Sequence, residues 1–165
     1  MASSDFNPND LILGEFRRTL DDRFRLSIPP ELVEPLTVAG TSCVLAKERP
    51  GSLSLWNEHA WGDRLEKSIA VVRAKVAAGR FDDRVGEIQS LGRLLSTRHK
   101  EVQVQNRGRL LIPEGFREFL GVEPGGDVLV VGAALCVEIW HPERWIAFLN
   151  EEISEFDQLL ERLAK

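Results

Sequence analysis

The chain has 165 residues, of which 28% are charged and 43% hydrophobic, with a net charge of −5 and a pI near 5.3. That balance excludes a disordered polymer, and the lack of any apolar run near ~20 residues excludes a membrane-spanning helix. The acidic total counts against nucleic-acid binding by the surface as a whole, though not by a local basic cluster.

Residues 1–13 read as a loose tail, and the start, lacking a basic end and an apolar stretch, does not read as a secretory signal. Gly14 to Leu20 reads as a strand, with Phe16 and Leu20 on its apolar side. Asp21 to Arg25 is a tight turn, and Leu26-Ser27-Ile28 a short strand stopped by Pro29-Pro30. Pro30 or Glu31 opens a short helix with Leu32, Val33 and Leu36 as its stripe. Thr41 to Lys47 and Ser52 to Trp56 read as two further strands. Trp61, Leu65, Ile69, Val72 and Val76 recur at helical spacing up to a stop at Gly79. Val85, Ile88, Leu91 and Leu95 give a second helix, with Asp82-Asp83 expected to cap it.

The order then recurs. Glu101 to Val104 is a strand, Gln105 to Arg109 a turn, Leu110-Leu111-Ile112 a strand, and Pro113 to Leu120 a helix. After a turn at Glu123 to Asp127, Val128 to Val131 and Leu135 to Trp140 are strands. His141 and Pro142 open a last helix, where Leu149, Ile153, Phe156, Leu160 and Leu163 form a heptad-like seam. The seam is expected to pack on the body of the protein or on a neighbouring copy.

This recurrence holds one register, an offset of 84, which is the separation of Arg25 from Arg109. Without a gap it carries Val44-Leu45 onto Val128-Leu129, Trp56 onto Trp140 and Trp61 onto Trp145. Two copies of one unit imply a pseudo-symmetric particle in which a site on one half is echoed on the other. Each unit alone would bury too little surface, so the halves are expected to share a core. The expected divisions are a first half over 14–78, a connecting helix over 79–97, a second half over 98–148 and a C-terminal amphipathic helix over 149–165.

Basic residues gather at the recurring turns: Arg17, Arg18, Arg23 and Arg25 at the first, Arg107 and Arg109 at the second. A guanidinium stays charged and offers paired donors that fit phosphates and guanine edges. Gly108 permits a positive φ or a close backbone approach, and Asp21 can bond into its own turn or orient Arg25 by a charge pair. The competing reading is a solvated turn whose arginines pair with nearby carboxylates, and it loses weight because both arginines recur. His59, His99 and His141 do not pair with cysteine or carboxylate at ligand spacing, so no metal, cofactor or catalytic set is expected. The repeat-related tryptophans read as core or rim packing. Cys43 and Cys136 read as buried free thiols of a cytoplasmic protein.

The turn and strand residues resemble the MraZ family, whose pattern is two copies of Asp-x-x-Gly-Arg followed by a short apolar strand and proline. The first copy keeps Asp21 and Arg25 with Leu26-Ser27-Ile28-Pro29; the second keeps Gly108 and Arg109 with Leu110, Ile112 and Pro113. Glu138-Ile139-Trp140 and Glu143-Arg144-Trp145 also match, and the likeness covers about residues 14–150. It departs where Phe24 replaces the first motif glycine and Gln105 the second motif aspartate.

The resemblance implies an α+β, mainly β fold with flanking helices: a double-split β-barrel of two pseudo-symmetric AbrB/MraZ-type halves. It further implies ring-like homo-oligomers, double-stranded DNA as partner and nucleoid association. The implied role is a repressor of the division and cell-wall gene cluster that reads repeated upstream boxes, with Arg25 and Arg109 facing DNA and Arg23 and Arg107 beside them. The alternative is an interaction scaffold of the same fold that no longer reads DNA.

Overall fold

The computed structural model describes residues 11–38, 40–79 and 83–165. Among the described residues, eight strands and six α-helices follow the expected order, the last expected helix being in two pieces. They are β1 (Ile12–Thr19), β2 (Arg25–Ser27), α1 (Pro30–Thr37), β3 (Ser42–Arg49), β4 (Ser52–Asn57), α2 (Glu58–Ala77) and α3 (Val85–Thr97). The second half supplies β5 (His99–Gln103), β6 (Arg109–Leu111), α4 (Phe116–Leu120), β7 (Asp127–Ala134), β8 (Val137–Trp140), α5 (Pro142–Ile153) and α6 (Phe156–Leu163). The fold is α+β.

Six strands form one antiparallel sheet in the order β1-β7-β8-β4-β3-β5, and β2 and β6 form a separate two-stranded ribbon. The repeat is visible in that order. Each half contributes a hairpin, β3-β4 or β7-β8, and each lends its leading strand to the other half's hairpin. Thus β1 pairs with β7 and β5 with β3. Where the hairpins meet, Ser52 lies opposite Trp140 and Leu55 opposite Val137. Because the leading strands are exchanged, neither half can complete its sheet alone, and the shared core follows.

Alternation along the strands gives the sheet two faces. One carries Leu45, Leu53, Leu55, Val128, Val130, Val137 and Ile139 into a core shared with Leu26, Ile28, Leu110 and Ile112. The other carries Trp56 and Trp140. Trp61 of α2 meets Trp56 with ring centroids 5.9 Å apart, and Trp145 of α5 meets Trp140 at 5.3 Å. The repeat-related tryptophans are therefore packing groups, each pair pinning a helix to the end of a strand.

Cys43 and Cys136 are buried, and burial pushes their thiols up to about 11 and about 12, so both remain inert. No helix among the described residues is long and apolar enough to cross a membrane.

Several elements differ from their sequence expectation. β1 opens at Ile12, two residues early, because Ile12 is itself buried in the core while Leu11 and Leu13 face out. α4 is only its last five expected residues, since Gly115 precedes it with φ 84. Asp83 does not cap α3, whose N-cap is Arg84 without a side-chain bond, and Asp82 lies outside the described residues. The stripes of α2 and α3 are nowhere fully buried; with Trp56 and His99 they line a cleft of about 410 Å3. The C-terminal helix is two helices, broken at Ser154-Glu155, and its seam lies in the open: Ile153, Phe156, Leu160 and Leu163 are all more than half exposed. Beyond Leu149, which is partly buried, the described residues of this chain do not cover it.

Candidate nucleic-acid interface

The ribbon decides the site. β2 and β6 are antiparallel, with Arg25 opposite Leu111, Leu26 opposite Leu110 and Ser27 opposite Arg109. Opposed residues share a face, and successive residues alternate. Leu26 and Leu110 are 1% and 0% exposed, so this ribbon face is buried. Each leucine contributes about 2 kcal/mol of burial. Arg25, Ser27, Arg109 and Leu111 must then share the outward face. The two motif arginines sit diagonally across the ribbon, a spacing of roughly 7–8 Å between backbones.

Both turns preceding the ribbon strands have the same backbone hydrogen bonds. Asp21 N donates to Arg25 O at 3.1 Å and Gln105 N to Arg109 O at 2.8 Å. Phe24 N donates to Asp21 O and Gly108 N to Gln105 O, at 3.2 and 3.1 Å. The turns also cross-brace the halves. Ile28 N donates to Gly108 O at 2.8 Å, and Ile112 N to Phe24 O at 3.0 Å. Any side chain at Gly108 would run into the Ile28 carbonyl, and its φ of 74 already favours glycine.

The two departures from the motif have different consequences. Phe24 keeps the positive φ of the missing glycine, at 59, a conformation costing roughly 1–2 kcal/mol for a residue with a Cβ. Its ring offsets part of this by packing against the core and under the Arg117 guanidinium, 4.4 Å from the ring centre. Arg107 also takes a left-handed conformation, φ 65, so the second turn has two such residues in succession.

Asp21 performs both expected tasks. Its Oδ1 accepts from the backbone N–H of Arg23 and Arg25 at 2.8 and 2.9 Å, and its Oδ2 accepts from Arg25 Nε at 2.8 Å. The Arg25 backbone bond above all, with the other bonds from Arg23 and Arg25, holds the Asp21 carboxyl below its ordinary value. Gln105 makes no such set among the described residues, so Arg109 leaves its turn without a carboxylate tether.

The predicted basic residues fall into two groups. Arg23 and Arg107 are exposed on the turns beside the ribbon, and Arg25 and Arg109 lie on its face. Arg17 and Arg18 belong to β1 in the main sheet, not to the ribbon. Arg17 Nη1 is paired with Asp127 at 3.0 Å, and Thr19 Oγ1 donates to the same carboxylate. Arg18 Nη1 donates to the Arg17 carbonyl, and its guanidinium sits 5.5 Å from the Phe16 ring centre. Sequence reasoning missed Ser27 and Leu111, which only strand register puts beside the arginines.

Residues 96–165 match the family model described as "MraZ protein, putative antitoxin-like". The transcriptional regulator MraZ of Acetivibrio thermocellus is 26% identical over 154 residues, 93% of this chain and 97% of that protein. The proteins of the same name from Heliobacterium modesticaldum and Thermomicrobium roseum are 28% and 29% identical, each over 93% of this chain and 96% and 98% of their own lengths. The likeness thus runs through both turns and both hairpins, and over 93% of its length the chain is similar to proteins named transcriptional regulator MraZ.

Proposed function

We propose that this protein is a DNA-binding transcriptional regulator, not an enzyme, and that the ribbon is its reading surface. One observation carries this: two strands 84 residues apart in sequence, Arg25 to Arg109, pair so that both repeated arginines emerge on one exposed face. A two-stranded ribbon fits the major groove, where a guanidinium meets guanine O6 and N7. Arg23 and Arg107 flank that face and suit phosphates; Arg17 and Arg18 assist from β1. Asp21 and Gly108 shape the turns. By the family resemblance the role is repression of the division and cell-wall gene cluster through repeated upstream boxes, in the cytoplasm at the nucleoid. The exchanged strands and the ribbon are read together as a double-split β-barrel. The uncovered seam of α5 and α6 supports self-association into a ring, which sums weak contacts on successive boxes.

The test is fluorescence anisotropy with a labelled duplex from directly upstream of the gene, against a scrambled duplex, over a salt series. Parent protein is expected to prefer the upstream duplex, with affinity falling by a log–log slope of about 0.9 per phosphate neutralised. The Arg25→Ala, Arg109→Ala protein is expected to lose that preference. Folded, oligomeric parent that ignores both duplexes at low salt would overturn the reading. It would favour the second one, an interaction scaffold acting through the exposed apolar seam.

A further inference from the structure

The outward face of the ribbon has four side chains, and one of them is apolar. Leu111 is 51% exposed, directly opposite Arg25 and two residues along the same strand from Arg109. An isolated exposed leucine is ordinary. This one stands next to both motif arginines in the register of the ribbon, on the face that reads DNA in the function proposed above, on which the inference rests. Its place is set by the buried Leu110 before it and Ile112 after it, so the side chain cannot turn inward without reversing the register. In the major groove the apolar group among base edges is the C5-methyl of thymine.

We infer that Leu111 is a base-reading residue that contacts a thymine methyl next to a guanine read by a motif arginine. The position equivalent to Leu111 in the first half is Ser27, a small hydroxyl with no apolar reach. The pseudo-symmetric ribbon therefore presents arginine with serine from one half and arginine with leucine from the other. The Asp21 carboxylate tethers only Arg25. Chemistry on the face is unequal, so recognition has a direction along the duplex.

The experiment uses full-length protein and the same upstream duplex, with each thymine replaced in turn by deoxyuridine, which removes only the methyl. Parent is expected to lose about fourfold in affinity at one thymine, the worth of one buried methyl. Leu111→Ala is expected to bind the unmodified duplex more weakly by a similar factor and to be indifferent to that replacement. Its salt slope should match the parent's, because no phosphate contact is lost. The side chain is half exposed, so the variant should fold, with circular dichroism as the check.

A parent that binds the duplex but is indifferent to every replacement overturns this inference alone. So does a Leu111→Ala protein that loses as much as the parent at the same thymine. A parent that binds no duplex at low salt overturns the DNA-binding reading and this one together.

Discussion

Gly108 and Phe24 occupy the same place in the two turns and solve its geometry differently. At Gly108 the Ile28 carbonyl comes too close for a Cβ, and the backbone is left-handed. Gly108→Ala is therefore expected to destabilise the fold by about 3 kcal/mol, combining a left-handed penalty with displacement of a backbone brace. A urea titration followed by tryptophan fluorescence measures this; a loss below about 0.5 kcal/mol, the ordinary range of surface changes, would refute the brace. At Phe24 the donor Ile112 N is still satisfied at 3.0 Å, so the turn survives with its conformational cost offset by ring packing. Asp21 has no such substitute in the second turn, which makes the two arginines unequal although their motif is shared.

At the scale of the elements, the meeting of β4 and β8 sets Ser54 opposite Glu138. Both are bonded to the tryptophan two residues later: Trp56 Nε1 donates to Ser54 Oγ at 2.8 Å and Trp140 Nε1 to Glu138 Oε1 at 3.1 Å. Burial raises the Glu138 carboxyl above its ordinary 4.5, the Trp140 bond opposes this, and Glu48 nearby adds to the rise. A carboxyl raised in the folded state contributes stability below its unfolded value and loses it as pH rises through the folded value. Parent and Glu138→Gln should thus differ little near pH 4 and diverge above about pH 5, with the variant the more stable at pH 7. Urea midpoints across that range give the answer, and a gap that instead closes with rising pH would reverse the assignment.

At the scale of the whole molecule, the described residues leave two surfaces uncovered: the cleft lined by α2 and α3, and the seam of α5 and α6. In the seam Ile153 is 64% exposed, Phe156 58% and Leu163 76%, and exposed apolar side chains gathered on one segment mark association. An Ile153→Glu, Leu160→Glu protein is expected to fold like the parent but to sediment as a smaller species. If both proteins show the same mass by analytical ultracentrifugation at matched concentration, the seam is not the contact between copies.

The repeat, the two turns, the shared core and the tryptophan pairs were legible in the chain. They are local patterns or recur in register, and apolar alternation and turn residues act within a few positions. The likeness to the MraZ family was legible for the same reason. The paired arginines could be named as candidates, but not their common face, because that depends on which strand pairs with which. A single-residue slip in the pairing would turn every side chain of one strand to the other side. Proximity in sequence groups Arg17 and Arg18 with Arg25, and strand exchange is what assigns them to β1 in the main sheet, with Arg17 bound to Asp127. The break at Ser154-Glu155 escaped the heptad spacing, which counts apolar residues and does not register where helical hydrogen bonding stops. Composition and spacing thus account for the elements and their duplication. Register and exchange, formed only when distant strands meet over a common core, account for the shared face of Arg25 and Arg109, for Leu111 within it and for the seam left uncovered.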